Sequence, residues 1–115
     1  MTVKDLKKIL KAEIICCEER IDSEVHAACG SDMMSDVLAF VKDQAVLLTG
    51  LVNPQVIRTA EMMDMICVIF VRGKTPGDMV IDLAREKEIC ILTTDYPMFT
   101  ACGLLYENGL RGGCA

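Results

Sequence analysis

The chain has 115 residues, 52% of them hydrophobic, and a net charge of −5, which is enough for one domain with a real core, though a small one for which dimerisation would add burial. The acidic balance excludes a nucleic-acid backbone as the main partner, because that contact needs clustered lysine and arginine; the one basic cluster, Lys4, Lys7, Lys8 and Lys11, reads as a solvated helix face. No apolar run approaches the roughly 20 residues of a membrane span, and lysines interrupt the N-terminus before a secretory signal develops, so no membrane contact is expected and the expected location is cytoplasmic.

Thr2 followed by Asp5 is a capping-box signal, and Val3, Leu6, Ile9 and Leu10 then repeat at helical spacing, which predicts a short amphipathic helix. Glu13 to Cys17 reads as a strand, and the charged Glu18 to Glu24 as a surface connection. Val25 to Cys29 is a second short strand, stopped by Gly30. Ser31 and Ser35 both offer a cap to a helix carrying Val37, Leu38 and Val41, with Ser35 preferred.

Three strand-turn-helix units follow, each with one of the three prolines of the chain near a helix start, where its missing N–H costs nothing. Ala45 to Thr49 is an apolar strand of the kind covered on both faces; Gly50 breaks it, Asn53 caps and Pro54 opens a helix with Val56, Ile57, Ala60 and Met63 inward. Cys67 to Val71 repeats the strand, Arg72 to Asp78 the turn, and the next helix turns Met79, Val80, Leu83 and Ala84 inward. Ile89 to Thr93 is the last strand. Thr94 or Asp95 can cap the last helix, whose apolar positions are Met98, Phe99, Cys102, Leu105 and Tyr106, with Gly109 as its stop. Alternating strands and helices with right-handed crossovers give an α/β fold, a three-layer α/β/α sandwich around a mostly parallel sheet of about five strands. One of the two short leading strands is expected to pair antiparallel at an edge. Residues 1–109 form the expected domain and 110–115 a flexible tail.

In a parallel sheet these turns gather along one edge, where such folds keep their sites. Thr49, Gly50 and Asn53, then Arg72, Gly73 and Lys74, then Thr94 and Asp95, together with Asp32, are the candidate ligand-binding residues. Helix N-termini and the Arg72/Lys74 pair favour a phosphate or carboxylate. Neither a P-loop nor a dinucleotide fingerprint is present. The single histidine, His26, has no nucleophile motif around it, so no catalytic residue is assigned and no enzymatic activity is expected.

Seven cysteines and eight methionines read as reduced, buried thiols and a soft core or interface. His26 and Cys29 form H-x-x-C, with Cys16 and Cys17 expected one strand away, but adjacent strand cysteines point to opposite faces. No metal or cofactor is therefore assigned. Cys114, beside two glycines, is the thiol expected to be most reactive.

Residues 29–40, 45–60, 68–84 and 91–105, in that order, resemble the DRTGG domain family. The match rests on Gly30-Ser31-Asp32-Met33-Met34-Ser35, the Thr49-Gly50 turn, the Gly73 turn and Thr94-Asp95-Tyr96. The family's aspartate-arginine pair is replaced by Leu51 to Pro54, and Val71-Arg72-Gly73 stands in place of threonine-glycine-glycine. The resemblance implies a small α/β domain similar to the N-terminal domain of HPr kinase, an accessory to CBS-containing pyrophosphatases or phosphotransacetylases, without catalytic activity of its own and able to form dimer contacts. Stand-alone versions are associated with iron-only hydrogenase and sensor-kinase modules. The expected function is a homodimeric regulatory domain that binds a small anionic metabolite or nucleotide and acts with a hydrogenase-type redox enzyme or sensor partner. The alternative is a thiol-based redox or metal-handling accessory of an iron-sulfur enzyme.

Overall fold

A strand that is apolar at every position must be covered on both sides, and the two middle strands meet that condition along their whole length. The computed structural model describes residues 1–39 and 44–112. In chain order the elements are α1 (Val3–Ile9), β1 (Glu13–Cys16), β2 (Ala27–Gly30), α2 (Met34–Leu38), β3 (Ala45–Thr49), α3 (Pro54–Met62), β4 (Cys67–Phe70), α4 (Asp78–Glu86), β5 (Cys90–Thr93) and α5 (Met98–Glu107). The strands form one five-stranded sheet in the order β1-β5-β4-β3-β2. β2, β3, β4 and β5 run parallel, and β1 lies antiparallel against β5.

Because the chain steps from β2 to β5 in one direction, right-handed crossovers place α2, α3 and α4 on the same face, where each packs on the next. The chain passes to the other face after β5, and α5 lies over β3 and against α1. This is the three-layer sandwich expected from the sequence. The register brings Thr49 opposite Phe70 and Phe70 opposite Thr93, so the C-terminal ends of the middle strands lie level. Phe70, Leu47, Leu48, Ile69, Ile91 and Leu92 fill the centre of the core.

The capping box of α1 forms: the Asp5 N–H donates to Thr2 Oγ1 at 3.3 Å and the Thr2 N–H to Asp5 Oδ2 at 2.9 Å, a bond that holds the Asp5 carboxyl below its usual range. Asn53 caps α3 and Pro54 sits at its first position. The other two prolines do not enter a first turn. Pro76 is buried ahead of the α4 cap Gly77, and Pro97 is itself the cap residue of α5; neither Thr94 nor Asp95 caps that helix. Ser35 lies inside α2, whose cap position is Met33, and Ser31 instead accepts from the Met33 N–H at 3.0 Å. Met79, at 77% exposure, and Phe99, at 90%, point outward, one position off the buried faces set by Val80 and Ala84 and by Ala101 and Leu105. The segment expected to be a tail begins packed: Leu110 is buried and the Ala28 N–H donates to the Arg111 carbonyl at 2.9 Å. Val41 and Cys114 lie outside the described residues.

Four helices end in the same way. Lys11 (φ 49°), Asp64 (φ 54°), Glu88 (φ 57°) and Gly109 (φ 105°) follow the last turns of α1, α3, α4 and α5 in the left-handed region. The next residue in each case, Ala12, Met65, Ile89 or Leu110, is buried and donates its N–H back into the helix, a Schellman closure with its apolar contact. Only the last uses glycine, the residue with no steric cost there. Replacing Lys11 and Glu88 by glycine is expected to stabilise the domain by about 0.5–1 kcal/mol each. Urea denaturation of the double variant checks this; an unchanged or lower midpoint would refute it.

Candidate functional site

The level strand ends place three turns side by side, and hydrogen bonds lock each to its neighbour. After β2, the Asp32 carboxylate reaches the β3 turn, where Oδ1 accepts from Thr49 Oγ1 at 3.0 Å and from the Gly50 N–H at 2.7 Å. Thr49 is fully buried, and its hydroxyl oxygen also accepts from the Leu51 N–H at 3.1 Å. Asp32 therefore staples two strand ends together and caps no helix.

The β4 turn bends through Arg72 (φ 59°) and Gly73 (φ 67°), two consecutive residues in the left-handed region. The conformation is costly for arginine, and residues held this way concentrate at functional sites. Here the surroundings enforce it: the Arg72 N–H donates to the Tyr96 carbonyl at 2.8 Å and the Gly73 N–H to the Thr94 carbonyl at 2.9 Å. Thr93 Oγ1 closes the turn by donating to the Lys74 carbonyl at 2.8 Å.

Two glycines allow the side chains to approach. A Cβ on Gly50 would lie 2.4 Å from Arg72 Nη2, so the guanidinium rests on a bare backbone. A Cβ on Gly73 would lie 3.2 Å from Asp95 Oδ1. Asp32, Thr49, Gly50, Arg72, Gly73, Thr94 and Asp95 thus form one continuous edge. Among the described residues Arg72 has no carboxylate within ion-pair distance. The Lys74 side chain is exposed beside it. Asn53 stands apart in role, its side chain being used by the Gln55 N–H at 3.0 Å.

One contributor is not visible in the sequence. Thr94 Oγ1 donates to the Leu10 carbonyl at 2.8 Å, across 84 residues of chain. The end of α1 thereby joins the edge, and Leu10, Lys11, Thr94, Asp95 and Tyr96 line a cavity of about 170 Å³ there. No local pattern links residues so far apart; the left-handed Lys11 is the only mark, and it shows in the backbone alone.

The thiols lie elsewhere. Cys16 and Cys17 are buried, donating to the Ile89 carbonyl at 3.7 Å and the Ala84 carbonyl at 3.9 Å. Cys67 and Cys90 are register partners in β4 and β5. Burial raises the Cys16 and Cys67 thiols and pushes Cys17 up to about 12, whereas the Cys67 S–H bond lowers Cys90. β1 and β2 occupy opposite edges of the sheet, so Cys16 and Cys17 are not one strand from His26 and Cys29. Among the described residues no three His, Cys, Asp or Glu side chains gather as a metal group.

These features define a small α/β domain with a mostly parallel sheet, whose strand-end turns are interlocked beside Arg72, an arginine with no ion pair among the described residues. The chain belongs to the DRTGG domain family, whose model matches residues 5–107. The fold is similar to part of a solved structure, the CBS and DRTGG domains of the regulatory region of Clostridium perfringens pyrophosphatase complexed with the activator diadenosine tetraphosphate. The TM-score is 0.74 at 22% identity, covering 90% of this chain and 45% of that one, so the present chain spans less than half of that structure. No curated protein matches by sequence.

Proposed function

We propose that this chain is a non-catalytic regulatory domain, homodimeric and cytoplasmic, that binds a small anionic metabolite or nucleotide at its interlocked strand ends. The observation that carries this reading is Arg72, held in a strained backbone conformation with its guanidinium on the bare Gly50 backbone and no carboxylate among the described residues to neutralise it. Lys74 and Lys11 add positive charge at either side, and Asp32 fixes the β3 turn. A phosphate or carboxylate meeting Arg72 gains charge-assisted hydrogen bonds without reorganising the loop. The likeness to a pyrophosphatase regulatory region complexed with a dinucleotide activator supports the regulatory role and the ligand class. The DRTGG-like unit covers residues 1–109, with the packing of Leu110 and Arg111 continuing it. Its partner is a redox enzyme of hydrogenase type or a sensor protein, as the family resemblance implies. A thiol-based redox or metal-handling role has weaker support, because burial disfavours the thiolate that such chemistry uses.

Thermal unfolding with phosphate, AMP, ATP and diadenosine tetraphosphate tests the site. A ligand present at 100 times its dissociation constant stabilises by about 2.7 kcal/mol. The double variant Arg72→Ala, Lys74→Ala is expected to lose that shift while its ligand-free midpoint stays close to the parent's. If no anion in the panel moves the midpoint of the parent protein, the reading fails.

A further inference from the structure

The row of strand ends holds two aspartates, Asp32 and Asp95, and only the first is used by the fold. The Asp32 carboxylate accepts from the Thr49 hydroxyl and the Gly50 N–H. Asp95 is exposed, and among the described residues no hydrogen bond or ion pair engages its side chain. Its carboxylate lies beside Gly73, where a Cβ would stand 3.2 Å from Oδ1. A free acid close to an anion-binding arginine repels the anion, unless the same ligand also brings hydrogen-bond donors to the acid.

The strand order sets these two groups at opposite ends of one row. The Arg72 guanidinium rests on Gly50 in the β3 turn, Asp95 follows β5, and the β4 turn lies between them. Two strand spacings amount to about 10 Å. The floor along that line is Gly50 and Gly73, and glycine lets a ligand approach the backbone directly. Past Gly73 opens the cavity of about 170 Å³, where Lys11, Asp95 and Tyr96 supply a cation, a carboxylate and an aromatic ring. Backbone ties it to the arginine turn, since the Arg72 N–H donates to the Tyr96 carbonyl at 2.8 Å. A cavity of about 150 Å³ holds a benzene ring, so this open one admits the edge of a planar base.

We infer that the strand-end site takes a guanine nucleotide, with phosphate on Arg72 and Lys74, sugar over Gly73, and the base edge between Lys11 and Asp95. The inference rests on the anion-binding reading above and names the ligand that the site selects. A free phosphate or an α-amino acid satisfies one end only, because its polar groups lie too close together to span the row. Among the common bases, guanine presents two adjacent donors, N1–H and the 2-amino group, that match both oxygens of one carboxylate, while O6 beside them accepts from the Lys11 ammonium. Such charge-assisted, bidentate pairs are the strong ones. Adenine and cytosine instead offer one amino group next to a ring nitrogen whose lone pair faces the second carboxylate oxygen. Tyr96 offers the base an aromatic surface for stacking.

Isothermal titration calorimetry of the full chain with GMP, IMP, AMP and phosphate tests this. GMP is expected to bind at least about tenfold more tightly than AMP, and than IMP, which lacks the 2-amino group, because a hydrogen bond to a charged group contributes that factor or more. Asp95→Asn, an exposed change of equal size, should leave the thermal midpoint in place and abolish the preference for GMP. Arg72→Ala should weaken GMP, AMP and phosphate alike. A parent protein that binds AMP or IMP as tightly as GMP, that binds phosphate but no nucleotide, or whose preference survives Asp95→Asn overturns the base assignment and leaves the anion reading standing. A parent protein that binds neither phosphate nor any of the nucleotides overturns both.

Discussion

Replacing Phe70 by alanine is expected to destabilise the domain by about 3–5 kcal/mol, a large share of the roughly 5–15 kcal/mol that holds a domain of this kind folded. Phe70 is the largest fully buried side chain among the described residues and ends the central strand β4. Its backbone carbonyl accepts from the Thr94 N–H at 3.0 Å, and the next residue, Val71, donates its N–H to the Thr49 carbonyl at 3.0 Å. The cavity left by alanine therefore opens directly beneath the turns that carry Arg72 and Asp95. Urea denaturation measures the loss, and Phe70→Leu should retain more than half of the stability that alanine forfeits, because most of the volume stays filled. The alanine variant should also show a weaker ligand-induced shift while still folded, since the Arg72 turn rests on this residue. A loss below about 1 kcal/mol would contradict the packing described for this strand.

The sheet was readable because its middle strands leave no choice. Val46 to Leu48 and Val68 to Phe70 are apolar at consecutive positions, and a segment of that length flanked by glycine or arginine turns can only be a strand covered on both sides. Asn53-Pro54 and Gly109 were equally legible, each being the residue that the local backbone requires. The sequence is ambiguous where several residues can serve the same purpose. In α5 nearly every position from Met98 to Tyr106 is apolar, so periodicity names the apolar positions without choosing the buried face; packing on β3 selects Ala101 and Leu105 and leaves Phe99 outside. Pro76 and Pro97 favour helix starts, but the buried Pro76 and the extended Pro97 cap set those starts one or two residues later. The helix stops at Lys11, Asp64 and Glu88 were invisible because none is glycine. They are enforced from outside, by the burial of Ala12, Met65 and Ile89.

The candidate edge divides in the same manner. Its turns could be named from the sequence, since hydroxyls, glycines and the Arg72/Lys74 pair recur at strand ends. What joins them could not. By its sequence position Asp32 suits a cap on the following helix equally well; only the parallel register of β2 and β3 sets its carboxylate against Thr49 and Gly50. The Leu10 carbonyl reaches Thr94 because α1 lies on the same face as α5, a relation between opposite ends of the chain. The family's aspartate-arginine pair is absent after Gly50, and an arginine from the neighbouring turn, Arg72, rests on that glycine instead. A cationic group is thus present at the β3 turn although the residues of the β3 turn do not supply it.

Above about pH 9 the domain is expected to lose stability by on the order of a few kcal/mol within two pH units, because its thiols ionise more readily in the unfolded chain than in the folded one. Burial raises Cys16, Cys29, Cys67 and Cys102 above 9.0 and Cys17 to about 12. Between the unfolded and folded pKa values the unfolded state binds fewer protons, so the slope of stability against pH is negative there. The stabilisation from protonated thiols is complete below the unfolded pKa and disappears as pH rises through the folded values. Cys90 works in the opposite sense, because the Cys67 S–H bond favours its thiolate, but it is one group against five. Urea titrations at pH 7, 8.5, 9.5 and 10.5 should show the fall beginning before lysine and tyrosine titrate, and Cys17→Ala should flatten it. Iodoacetamide at pH 8 should label Cys17 and Cys67 only as fast as the protein opens. A stability that stays level from pH 8 to pH 9.5, or rapid labelling of those two in the folded protein, would show thiolates already accessible and would shift support to the thiol-based reading.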